Sequence, residues 1–180
     1  MNLDPVLALT GALTLAGIFV SAGVTKLRAR EAFSAVIENY RVLPDGLVPV
    51  TARALPVIEL AAAIGLAFPA TRSLASGVIA LMLIAFALAM AINLRRGRHD
   101  IDCGCFIGLL RQKLSWPLVA RNIALAIIAF ALAAGTVSAR SLGVLDMLTS
   151  VAGTGAILLV YASYGRLFGL APRIQKGAAA

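Results

Sequence analysis

Hydrophobic residues in this chain fall in long, nearly unbroken runs, not at alternating positions or in a single helical stripe. Four stretches carry no charge at all: residues 5–25, 73–94, 122–139 and 147–165. Each is close to the roughly 20 residues a helix needs to cross the hydrocarbon core of a bilayer. A fifth, residues 51–69, is interrupted only by Arg53 at its start and Glu59 near its middle. The runs are continuous and rich in Ala and Leu, without the period-two alternation of a membrane barrel, so they predict helices. The pattern therefore specifies an all-α integral membrane protein with five transmembrane helices. The spans are expected at about 5–26, 51–69, 72–94, 116–136 and 146–166. They form one multi-pass domain over residues 1–170, with a flexible basic tail at 171–180.

The connections carry their own signals. Between the first two spans, "REAFSAVIENYRVLP" sets Phe33, Val36, Ile37 and Tyr40 at helical spacing, which predicts one short interfacial helix. Pro44 ends it, and Asp45-Gly46 makes a turn. In the first span Gly17 and Ser21 lie four apart, followed by Gly23, a pattern that lets other helices approach closely. "PATRS" forms a tight turn between the second and third spans. Ser115 is placed to cap the fourth, with Pro117 tolerated in its first turn. Only Asn2 and Asp4 provide polarity ahead of the first run, and Lys26, Arg28 and Arg30 follow it. That order predicts a retained span, not a cleaved signal. No internal repeat or second domain is visible.

Composition agrees with the bilayer as solvent: 61% of residues are hydrophobic, against about 45–50% in soluble domains. Charge adds an orientation. The formal net charge of +8 comes from 16 cations, concentrated in the loops. All but Arg72 and Arg140 fall on the face shared by the loop at 27–49, the loop after the third span and the C-terminus. Such a distribution reads as topology and contact with anionic lipid, not as nucleic-acid binding. By the positive-inside rule this face is cytoplasmic.

The stretch "RRGRHDIDCGCFIGLLRQK" on that face holds the only histidine and both cysteines of the chain. Thiols one residue apart can form a disulfide and exchange it with a partner, or bind a soft metal. Their α-carbons lie roughly 5.5–7 Å apart, at the long end of disulfide geometry. Gly104 between Cys103 and Cys105 provides the conformations that close so small a ring. A metal would use His99, Cys103 and Cys105, one ligand short of a closed zinc site. Two inert thiols in a hydrophobic chain are the third reading, and all three stand at this point.

Polar residues also enter the spans, where they usually face the bundle interior. At 1.5 Å per residue Glu59 lies about 12 Å in from Thr51, and Arg121 about 9 Å in from Ser115. Asn122 is beside Arg121, and Asn93 approaches from the end of the third span. An ion pair between Glu59 and Arg121 is expected beneath the cysteine loop. It either fixes helix packing or serves as a polar floor that orients a quinone head group or relays protons. Tyr40, Trp116, Tyr161 and Tyr164 fall near predicted interfaces, where aromatic belts form. No glycine-rich phosphate loop, Ser-His-Asp set or suitable carboxylate pair is present.

Together "ENYRVLP", "ALPVIELAAAIGL", "AINLRRGRHDIDCGCF" and "LSWPLVARNIAL" resemble the methylamine utilization protein MauE family, within the wider DoxX-like group, over about residues 10–135. The resemblance implies a four-helix bundle core plus an added helix in a bacterial inner membrane. It also implies a role in maturing the small (β) subunit of methylamine dehydrogenase, which carries many disulfides, beside the thioredoxin-like periplasmic partner MauD. On that carry-over Cys103 and Cys105 are the redox pair. A dithiol at one end of a bundle is similar to vitamin K epoxide reductase-type disulfide generators, which pass electrons to quinone. Those proteins use Cys-x-x-Cys and a second cysteine pair, whereas this chain has Cys-Gly-Cys alone. Two rival functions are a non-catalytic membrane scaffold for the partner and a copper- or zinc-handling protein. A periplasmic role requires the cysteine loop outside, opposite to the side the cations select.

Overall fold

The computed structural model describes residues 2–104, 112–138 and 140–177, with side chains as far as residue 163. Helix α1, Pro5–Arg28, starts where the Asp4 side chain accepts a hydrogen bond from the Val6 amide at 2.8 Å. Pro5 occupies the first turn, where its missing N–H costs nothing, and Lys26 and Arg28 occupy the last. Helix α2, Arg30–Tyr40, is the predicted short helix. It buries Phe33 and packs mainly against α3, so it lies across the end of the bundle. Arg41 stops it in the left-handed region at φ 47°, and a 3-10 turn at Asp45–Leu47 leads on.

Helices α3, Val48–Gly65, α4, Pro69–Arg95, and α5, Trp116–Ala134, follow as spans. Helix α6, Val144–Gly177, is the last. Five helices among the described residues are long and apolar enough to cross a membrane, as the run pattern predicts. Helix α6 continues through residues 171–177, where the sequence pattern predicts a loose basic tail. A helix emerging from lipid keeps its carbonyls satisfied most simply by extending its own ladder.

The core is built by α1, α3, α4 and α5 around Leu15, Leu66, Ile79, Leu83 and Ala129. The pair α4–α5 has the most extensive contact, and α1 packs on α3 and α5. Helix α6 packs along α1 as the added helix and leaves most of its apolar surface outward, including Leu145, Leu148 and Val151. The small residues of α1 divide the work. A Cβ at Gly17 would lie 2.9 Å from Leu158 of α6, and one at Gly23 2.9 Å from Leu60 of α3. Two short strands, β1 Asn2–Leu3 and β2 Thr136–Val137, pair in parallel and tie the N-terminus to the end of α5. Nothing in the hydrophobic pattern announces them. They form because the ends of α1 and α5 meet with backbone groups still to be satisfied.

Candidate functional site: the cysteine stem and the polar interior

At the end of the bundle that carries α2, the chain leaves α4 and is captured at once. The Arg98 guanidinium donates to Asn93 Oδ1 at 3.0 Å, and the Arg98 amide donates to the Asn93 carbonyl at 3.0 Å. Asn93 is fully buried and donates in turn to the Ala89 carbonyl at 3.0 Å. From there residues 101–103 run antiparallel to residues 112–114. The Cys103 amide donates to the Gln112 carbonyl at 2.8 Å, and the Leu114 amide to the Ile101 carbonyl at 2.9 Å. Asp102 and Lys113 form the bridge between them. Strand alternation sends Cys103, Gln112 and Leu114 inward. The exposed Asp100–Lys113 ion pair, at 2.5 Å, closes the outer side of this stem.

Helix α2 clamps the stem from above. The Tyr40 hydroxyl donates to the Cys103 carbonyl at 3.0 Å. Gly104 has φ +72°, and a Cβ there would lie 2.8 Å from Val36 Cγ1. Only glycine meets both demands, since L side chains avoid this conformation and the space is taken. Cys103 is nearly buried, among Met90, Leu94, Leu114 and Leu118. Cys105 and residues 106–111 lie outside the described residues, so the expected pairing of Cys103 with Cys105 lies outside them too. His99 lines a separate polar hollow of about 420 Å³ with Asn39, Arg98 and Asp100. Among the described residues no three His, Cys, Asp or Glu side chains converge as metal ligands. The third ligand of the metal alternative, Cys105, is outside that set.

The interior differs from the expected floor in its membership. Glu59 is buried and ion-paired with Lys26, which is buried as well. The Lys26 ammonium also lies 5.2 Å from the centre of the Phe33 ring and 5.0 Å from that of Phe86. The sequence pattern places Lys26 among the loop cations and assigns Glu59 to Arg121. Folding of α2 back over the end of α1 encloses Lys26 as well and makes it an ion partner of Glu59. Its signal in the sequence is indirect: a lone acid inside a span needs a cation, and Lys26 follows the glycine at which α3 crosses.

Arg121 lines the same small cavity as Glu59, with Lys26, Asn122 and Tyr161. Its guanidinium sits 5.1 Å from the Tyr161 ring centre and donates to Gln112 Oε1 at 3.5 Å. Tyr161 is thus partly buried with its ring turned onto Arg121, while Trp116 is half exposed. Asn122 is buried, and its Nδ2 has no hydrogen-bond partner among the described residues. The cavity measures about 30 Å³, enough for a water that would satisfy it. Asn93 does not line this cavity; it belongs to the stem, through Arg98.

The family model for "Methylamine utilisation protein MauE" matches residues 4–135, which end with α5. A curated relative named methylamine utilization protein MauE, from Paracoccus denitrificans, is 42% identical over 156 residues, covering 87% of this chain and 84% of its own length. The protein of that name from Methylorubrum extorquens is 40% identical over 153 residues, 85% of this chain and 82% of its own length. That from Methylophilus methylotrophus is 34% identical over 163 residues, 88% and 84%. No solved structure matches.

Proposed function

This chain belongs to the MauE family of methylamine utilisation proteins, and from that premise we propose that it is a membrane thiol–disulfide redox protein. Its client is the small subunit of methylamine dehydrogenase, and it acts with a thioredoxin-like partner of the MauD type. The observation that carries the proposal is the holding of Cys103. Its amide is bound by the stem, its carbonyl by Tyr40, and the next residue is a left-handed glycine fitted against Val36. Such a clamp fixes the backbone of one thiol while Gly104 lets the chain reverse immediately, the conformation a Cys-Gly-Cys ring requires.

The chemistry is exchange between sulfurs. A partner thiolate attacks one sulfur of the Cys103–Cys105 disulfide, making a mixed disulfide and releasing the other as thiolate. The partner's second thiol then attacks the mixed disulfide. The partner leaves oxidised, and Cys103 and Cys105 are left as a dithiol that has gained two electrons and two protons. Glu59, Arg121 and Asn122 support this from below, by gathering α3 and α5 around Lys26 of α1, and Asn93 anchors the start of the stem through Arg98.

The test is replacement of both cysteines, Cys103→Ser with Cys105→Ser, in a methylamine-grown host whose own copy is deleted. Loss of mature dehydrogenase small subunit, with the variant still present in the membrane, is the expected result. Normal maturation would sink the redox role and favour a scaffold, which would fail instead on changes along the Phe33–Tyr40 face.

A further inference from the structure

Two hollows inside the bundle share Lys26 and Phe86. The smaller is the cavity that Glu59, Arg121 and Asn122 share with apolar neighbours such as Ile18 and Leu125. The larger, about 240 Å³, lies between α2, α3 and α4 and reaches from Cys103 and Gly104 to Lys26. Its walls are apolar, formed by Phe33, Val36, Ile37, Leu55, Phe86 and Met90. The polar side chains on it are few: Lys26, Tyr40, Thr51 and the Cys103 thiol. Ala85 lines its edge and is exposed. That residue lies about 15 Å along α4 from the helix end at Arg95. Val42 and Leu43, after α2, are exposed lining residues as well, so the hollow opens both at the end of the bundle and, beside Ala85, on the flank of a transmembrane helix toward lipid.

We propose that this hollow binds the ring of a lipid-soluble quinone, and that the quinone is the electron acceptor for the Cys103–Cys105 dithiol; the second half rests on the thiol-redox reading above. Three features select this ligand class. A saturated chain would match the walls but would leave an ammonium facing hydrocarbon, which is costly. A peptide segment would bring backbone groups that these walls do not satisfy. A quinone ring packs against Phe33 and Phe86 and presents a carbonyl oxygen to Lys26. The ammonium has three donors, and its pair with Glu59 leaves others for a ligand. The volume falls below the roughly 300–1,000 Å³ of drug-sized pockets, which suits one ring with its tail left in the bilayer.

The electron balance closes with this partner. As the S–S bond forms, Cys103 and Cys105 give up two electrons and two protons. The quinone takes up two electrons and two protons and leaves as quinol. Lys26 donates a hydrogen bond to the carbonyl oxygen on which negative charge develops, and Glu59 holds the ammonium in position.

The experiment uses the full chain in lipid nanodiscs, with a photoreactive short-chain ubiquinone analogue as probe and decylubiquinone as competitor. Saturable cross-linking to peptides containing Phe33, Val36 or Phe86 is expected, in the natural chain and equally in the Cys103→Ser, Cys105→Ser variant. Ala89→Trp fills the hollow and Ala85→Trp obstructs its lipid-facing opening from an exposed position; each should weaken competition by decylubiquinone at least tenfold. In the reduced natural chain, one decylubiquinone should be consumed per disulfide formed. Cross-linking that is unsaturable, unaffected by either tryptophan, or displaced equally well by decanoic acid would overturn the quinone site. Failure of the site together with loss of maturation in the double Ser variant would leave the thiol role standing without this acceptor. Saturable binding with normal maturation in that variant would keep the site, while removing its role as acceptor.

Discussion

Lys26 and Gly104 show how much a single position can depend on what folds around it. Lys26 sits where a helix ends and a basic loop begins, yet it is buried with Glu59 between two aromatic rings. A buried charge that loses its partner costs about 3–5 kcal/mol, whereas replacing both members by neutral groups costs far less. Glu59→Gln alone, which strips Lys26 of its ion partner, should therefore lower stability by about that amount, and the double variant with Lys26→Met should recover most of it. Thermal unfolding in detergent, followed by helical circular dichroism, reads the difference; equal losses in single and double variants would rule out a coupled pair. Gly104→Ala forces an L residue into left-handed backbone at about 1–2 kcal/mol and drives its methyl into Val36. The stem should loosen locally, so Cys103 in the reduced protein should alkylate several-fold faster with no change in global melting. The exposed Asp100–Lys113 pair lies at the other extreme. Solvent screens it, and it adds little to the stem.

Among the elements, α6 is the one whose attachment rests on a narrow strip. It packs along α1 through small residues, with Leu158 over Gly17 and Gly153 near Thr10. Between apolar helices in lipid, close backbone approach replaces the hydrophobic driving force. Gly17→Val should push against Leu158 and cost about 1–3 kcal/mol in that contact. The predicted consequence is release of α6 with α1–α5 intact, seen as faster proteolysis in the 140–143 connection at unchanged Cys103 reactivity. Faster proteolysis throughout the chain would show that α6 is part of the core after all. Helix α2 has the opposite character. Its period is plain in the sequence as an amphipathic face, but an amphipathic face fits a membrane surface and a protein surface equally well. The structure uses it as a cover for Cys103 and Lys26, with Phe33, Val36 and Tyr40 as the contacts.

For the molecule as a whole, loop charge and the proposed role make opposite demands on direction across the membrane. Burial of Lys26 removes one cation from the loops, yet the face with the cysteine stem keeps nearly all the rest. Charge therefore favours the cytoplasm for that face, while exchange with a periplasmic partner requires the other side. Labelling of Cys103 and Cys105 in intact cells with a membrane-impermeant thiol reagent, after reduction, is the outcome the proposed function expects. Labelling that appears only once the membrane is opened would exclude periplasmic exchange. The five spans, the short helix after the first and the concentration of both thiols in one polar loop were determined by the sequence alone. Those features follow from run length, period and composition, which are local properties of a chain dissolved in lipid. Tertiary structure alone decided the pairing of Glu59 with Lys26, the turn of Tyr161 onto Arg121, the clamp on Cys103 and the hollow beside it. Each of these depends on which helices cross and on where α2 folds back, and sequence distance carries no record of that geometry.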